Sequence, residues 1–267
     1  MGERVIGMIR ILIYKEWAEV FKNRLVLFTV IFLPLLLSVL PLIMLATMGN
    51  MVGEGNLSDI PPSALSMCPP ALNAEECLQV YLLSQFVLMF MLIPLVIPVS
   101  IAAYSIVGEK RARSLEPLLA TPITTWELIL AKALAAVIPA VVASWAAFLL
   151  FAVGGAAMAA SPAVVTAFLH PMWLLAVVVG GPLLAFLSVA LALMVSSRVN
   201  DPRVAEQLAG VVAVPLLALL FGQMSGLLVL NRDLVVLFLA VLLLLDVVML
   251  SFAVRVFDRE NILTRWR

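Results

Sequence analysis

The sequence has little of what an enzyme in water needs. Only 12% of its 267 residues are charged, and 16 Lys plus Arg balance 16 Asp plus Glu, so no net field draws nucleic acid to it. One histidine and two cysteines are too few for a clustered zinc site. No glycine-rich loop ending in Gly-Lys-Ser or Gly-Lys-Thr occurs, which removes the usual cradle for ATP phosphates. No nucleophile stands beside a base in a pattern that suggests covalent catalysis. What is abundant is apolar: 64% of residues, with a mean hydropathy of +1.18. Too little polar surface remains to cover such a core in water, so the chain needs lipid as its solvent.

A helix needs about 20 apolar residues to cross the hydrocarbon layer. Six stretches qualify: 25–48, 81–107, 127–153, 171–195, 207–230 and 234–254. Runs such as Val236–Leu245, without a polar side chain, exclude the alternation of a membrane β-barrel. The predicted fold class is therefore all-α, a polytopic membrane protein of one transmembrane domain over residues 1–267. The first span is expected to be retained rather than cleaved, since it outruns a signal peptide's apolar region and ends in no cleavage site.

Charge placement predicts the orientation. Arg4, Arg10, Lys15, Lys22 and Arg24 precede the first span, and Lys110, Arg111 and Arg113 follow the second, with Lys132 just inside the third. Arg198 and Arg203 lie between the fourth and fifth, and Arg255, Arg259, Arg265 and Arg267 follow the sixth. With both termini cytoplasmic, every Lys and Arg except Arg232 falls inside, while Glu54, Asp59, Glu75, Glu76 and Asp233 fall outside. The expected location is the cell membrane. Cys68 and Cys77 share the outer 49–80 loop, which holds no Lys or Arg. They form either a disulfide, worth roughly 2–3 kcal/mol for so short a loop, or two free thiols.

Residues 3–24 carry Val5, Ile6, Ile9, Leu12, Ile13, Trp17, Val20 and Phe21 on one helical stripe, with Glu3, Arg10, Lys15, Glu16, Glu19 and Lys22 mostly facing away. This amphipathic helix either lies in the membrane interface, with membrane lipid as its partner, or packs on the rest of the protein. Pro34, Pro41, Pro94, Pro98, Pro139, Pro182 and Pro215 fall within spans and free carbonyls that neighbours must satisfy. In span three Ala131, Ala135, Ala136, Ala140, Ala143, Ser144 and Ala147 recur at four-residue spacing, which suits close helix packing within the chain or at a dimer seam.

The segment Gly108–Lys132, GEKRARSLEPLLATPITTWELILAK, is the most informative. Ser114 can cap a short helix from Leu115, with Glu116 near its positive end. Leu115, Leu118 and Leu119 form one apolar edge that something must cover. Pro122 ends the run, and Thr124 with Glu127 makes a capping box that starts span three.

The run GEK…SLEPLLATP…L…AK resembles the signature of ABC-2 type permeases, the membrane subunits of ABC exporters, and is most similar to those of sodium or drug exporters. The opening YKEWAEVFKNRLVL is similar to the start that precedes the first span in that family. The resemblance implies a cytoplasmic coupling helix that meets a separate ABC ATPase subunit. Leu115, Leu118 and Leu119 would seat in that partner's groove, with Glu109, Lys110, Arg111, Arg113 and Glu116 at the rim and Thr121 and Pro122 closing the segment. It also implies a pathway formed with a second permease copy or a related permease. ATP and Mg would be bound by the partner, with no cofactor in this chain.

Asp246 is an acid well inside a span and a candidate for the substrate path, for a cation, or for a pair with a residue such as Lys132. It can equally be a packing residue. Lys132 is itself expected to snorkel to the surface. Ser100, Tyr104, Ser188, Gln223 and Ser225 are further path candidates, and His170 beside Pro171 reads as a boundary residue. Two readings compete with a permease: a membrane scaffold or assembly protein, which would not need the leucine edge, and a lipid-modifying enzyme, which would need clustered His, Asp or Glu.

Overall fold

The computed structural model describes residues 2–48, 72–111, 124–225, 227 and 231–256, and every regular element among them is helical. A first helix, α1 (Gly2–Val20), precedes six helices long and apolar enough to cross a membrane: Arg24–Thr47, Glu75–Glu109, Trp126–Met158, Pro162–Arg198, Pro202–Met224 and Arg232–Ala253. These are spans one to six.

Local chemistry sets several of their ends. Asn73 N–H donates to Glu76 Oε2 at 2.9 Å, and the helix starts there, about two turns earlier than its apolar run suggests. Thr124 N–H donates to Glu127 Oε2 at 2.8 Å and Glu127 N–H to Thr124 Oγ1 at 3.3 Å, the reciprocal pair that opens span three. Asp201 accepts from Arg203 N–H at 2.8 Å ahead of Pro202, so span five begins at 202 rather than 207. His170 Nδ1 accepts from Met172 N–H at 3.3 Å, a capping role at a break in span four.

Three irregular turns fall where proline chemistry puts them. Proline lacks the N–H that a helix aims at the carbonyl four residues back, and its ring crowds that carbonyl. Ahead of Pro94 lies a 3-10 turn, Phe90–Leu92; ahead of Pro182 a π turn, Ala176–Gly180; ahead of Pro215 a 3-10 turn, Gly210–Ala213. Each contains the crowded carbonyl. Pro98 and Pro139 sit instead in unbroken helix, and side chains from other helices approach the freed carbonyls. Trp17 Nε1 donates to Ala135 O at 2.8 Å. Ser188 Oγ lies 3.4 Å from Pro94 O and 2.9 Å from Ala185 O.

Span two is the central pillar. Of its most apolar stretch 78% is buried, against 17% for span six. Around it Phe90, Phe148, Phe151 and Phe168 form a chain of aromatic contacts with ring centroids 5.0 to 5.8 Å apart. The small residues of span three are used inside the chain: Ala131, Ala135, Ala136, Ala140, Ser144 and Ala147 are all buried, chiefly against span one, span two and α1. They are therefore not a bare dimer seam. Gly154 marks a close approach to span one, since a methyl group there would meet Leu42 Cδ1 at 2.6 Å.

The helix α1 packs across span three on a face made by Leu12, Glu16 and Val20, leaving Ile6, Ile11 and Tyr14 exposed. Glu16 thus turns inward, opposite to the expectation that it faces away. By spacing it belongs to the Leu12–Val20 stripe, and it is buried because a counter-charge waits there.

Candidate functional site

Residues 112–123 lie outside the described residues, and with them Arg113, Leu115, Glu116, Leu118, Leu119, Thr121 and Pro122. Cys68 lies outside them as well, whereas Cys77 is buried in the first turn of span two. Both roots of the 112–123 segment are visible. On one side α2 (Ile93–Arg111) ends span two and includes Glu109, Lys110 and Arg111; on the other stands the Thr124–Glu127 cap.

At the first root is a buried cluster of charge. Lys132 Nζ lies 2.7 Å from Glu16 Oε1, 2.8 Å from Glu109 Oε2 and 3.0 Å from Ser105 Oγ, donating hydrogen bonds to Glu16 and Ser105 and forming an ion pair with Glu109. Lys15 Nζ reaches the other oxygen of Glu109 at 2.9 Å, and Ser105 Oγ donates to Glu16 Oε2. Glu16, Glu109 and Lys132 are each less than a tenth exposed. Charges removed from water are tolerated only when paired and hydrogen-bonded, and two carboxylates against two ammoniums meet that condition. Partial burial works against the charge on Lys15. Its hydrogen bond and attraction to Glu109, helped by Glu19 and Glu16, outweigh this and hold its pKa above the ordinary lysine value.

This arrangement replaces two expectations. Lys132 does not snorkel, and it does not pair with Asp246, because Glu16, Glu109 and Ser105 occupy its ammonium. The residues joined come from α1, span two and span three: Lys15 and Glu16 from the YKEW opening, Glu109 from GEK, and Lys132 from the closing AK. The sequence pattern places Glu16 and Lys15 only as charges facing away from the apolar stripe. The available signal was an acid at helical spacing on an apolar stripe.

A second polar site lies between spans one, two and five. Ser100 and Tyr104, together with Thr29, Arg203, Glu206, Gln207 and the apolar Leu25, Val26 and Phe28, line a cavity of about 380 Å³. Ser100 is buried, and its hydroxyl donates to Glu206. Glu206 falls one residue before the apolar run 207–230, so hydropathy alone leaves it outside span five. The other path candidates lie elsewhere. Ser188 is fully buried against backbone carbonyls, and Ser225 is exposed with its hydroxyl on Gly222 O at 3.0 Å. Gln223 is fully buried, and Asp246 is half-buried on span six; neither side chain has a hydrogen-bond partner among the described residues. No group of three metal-ligating side chains occurs among the described residues.

Comparison with curated proteins returns no match. A family model described as ABC-2 family transporter protein matches residues 10–247, from the middle of α1 through most of span six, and includes every member of the buried cluster and of the cavity. The chain belongs to the ABC-2 transporter family, and it is a multi-pass membrane permease subunit of an ABC transporter.

Proposed function

We propose that this permease is the transmembrane part of an ATP-driven exporter, that it works as a dimer with a second copy or a related permease, and that a separate ABC ATPase subunit drives it through residues 109–122. ATP and Mg bind on that partner. The observation that carries the reading is the buried cluster at Glu109. The leucine edge begins six residues beyond Glu109. A push on that edge reaches Glu109 along the chain, and the ion pairs pass it to α1 and span three together. A loose loop root would absorb the motion; a root held by three buried charges transmits it.

In this reading α1, the 112–123 segment and both termini face the cytoplasm of the cell membrane, with α1 at the lipid interface. The placement of Lys and Arg supports that orientation. The chain acts as one transmembrane domain over 1–267, and Cys68 pairs with Cys77 on the oxidising side. In support of the pairing, no free thiol stands among the described residues.

The test is co-purification with the ATPase subunit followed by ATPase assay in proteoliposomes. Wild type is expected to stimulate hydrolysis, and Leu118→Asp to abolish both stimulation and a stable complex. A tight, fully stimulated complex with Leu118→Asp would sink the coupling assignment and favour a scaffold.

A further inference from the structure

The cavity between spans one, two and five has the make-up of a headgroup site. It opens beside the start of span one, where Leu25 and Phe28 are more than half exposed, and beside the start of span five at Arg203. Ser100, also in its lining, lies nine residues from the end of span two at Glu109, which at 1.5 Å per residue is about 14 Å along the helix. The cavity therefore runs from headgroup level down to acyl depth along one membrane face, with an apolar lip toward lipid. Its volume of about 380 Å³ lies within the range of about 300–1,000 Å³ usual for small-ligand sites.

Its polar lining carries one full charge of each sign. Arg203 and Glu206 are three residues apart on one helix, on adjacent turns, yet among the described residues no ion pair joins them. Helical neighbours at this spacing ordinarily can pair. Glu206 is turned into the protein by the buried Ser100 hydroxyl, while Arg203 stays exposed at the mouth. The two charges are held apart along the depth of one cavity, with Gln207 on the same helix and Tyr104 on span two as further hydrogen-bonding groups. An anion alone would meet the Glu206 carboxylate, and a cation alone would pass the Arg203 guanidinium. A headgroup with both charges satisfies both.

We propose that this cavity binds the headgroup of a zwitterionic amphiphile, its ammonium on Glu206 and its phosphate on Arg203, with the acyl tail leaving over Leu25 and Phe28 into lipid. The inference rests on the permease reading for its purpose and names the substrate class that reading leaves open.

The test uses the purified full chain in uncharged maltoside micelles. Three amphiphiles of equal tail length are titrated by calorimetry: lysophosphatidylethanolamine, anionic lysophosphatidylglycerol and an alkylammonium. Wild type is expected to bind the zwitterion about tenfold tighter than either other probe, the difference one charged hydrogen bond makes. Arg203→Gln should move the preference to the alkylammonium, and Glu206→Gln to the anionic probe, each crossing the wild-type order. Equal binding of all three probes, or an unchanged order in whichever variants remain monodisperse, overturns the assignment. Because no ATPase is present, loss of this selectivity would leave the Leu118→Asp result untouched, and failure of coupling would not alter the binding order.

Discussion

The indole of Trp17 donates to the Ala135 carbonyl at 2.8 Å, the very carbonyl that Pro139 deprives of its helical donor. A helix outside the spans thus repairs a defect inside one. In lipid a carbonyl without a donor is costly, so the bond fixes where α1 docks as well as stabilising span three.

From this follows a coupled pair of substitutions. Trp17→Phe keeps the ring and removes the donor, and should cost about 1–3 kcal/mol for the unsatisfied carbonyl. In a Pro139→Ala background the helix supplies its own N–H, and the same change should cost markedly less. Unfolding of the four proteins in detergent measures the coupling; equal penalties in both backgrounds would mean that the indole serves only to fill space.

The buried cluster predicts non-additivity of another kind. Lys132→Met leaves Glu16 and Glu109 facing one another without their shared ammonium and should destabilise by about 3–5 kcal/mol. Glu109 keeps Lys15, so adding Glu16→Gln removes the charge left without an ammonium and should recover part of that loss. Thermal unfolding of both variants decides it. A double variant less stable than Lys132→Met would show that the cluster is not held by charge balance.

Lys15 supplies a pH signature. Its folded pKa lies above the ordinary value of 10.5, so its contribution is whole below pH 10.5 and is lost as pH rises through the folded pKa. The stability difference between wild type and Lys15→Met should be level through neutral pH and shrink only in strong alkali. A difference that instead grows with alkalinity would contradict the ion pair with Glu109.

The cap on span three offers a milder lesion beside the coupling segment. Thr124→Ala loses the acceptor for Glu127 N–H and should cost about 0.5–2 kcal/mol. With the helix start loosened, ATPase stimulation by the partner is expected to fall while the complex still forms. Stimulation at the wild-type level would place the transmission wholly on the Glu109 side.

Much of this architecture could be read from the chain unaided. Spans are set by continuous apolar length, a property of sequence that needs no neighbour, and the six expected stretches all reappear as helices. The prolines marked where a carbonyl loses its helical donor, but not which turns become irregular: those before Pro94, Pro182 and Pro215 do, while the helix runs unbroken through Pro34, Pro41, Pro98 and Pro139. The Thr124–Glu127 cap was legible because its two partners are near neighbours in the chain. Span ends are less legible, since polar residues such as Asp201 and Glu206 lie outside the apolar run although Asp201 caps the helix and Glu206 lies within it.

What sequence alone determined, then, was part of what contacts within a few residues govern: the membrane class, the six helices and the Thr124–Glu127 cap. What only the tertiary structure decided was which distant charges and carbonyls meet. Lys15 and Glu109 are 94 residues apart, Lys132 and Glu16 are 116 apart, and Trp17 and Ala135 are 118 apart. A lysine's pattern in sequence is the same whether it snorkels to water or turns inward. The choice depends on whether another helix brings a carboxylate to within about 3 Å, and that is a property of packing.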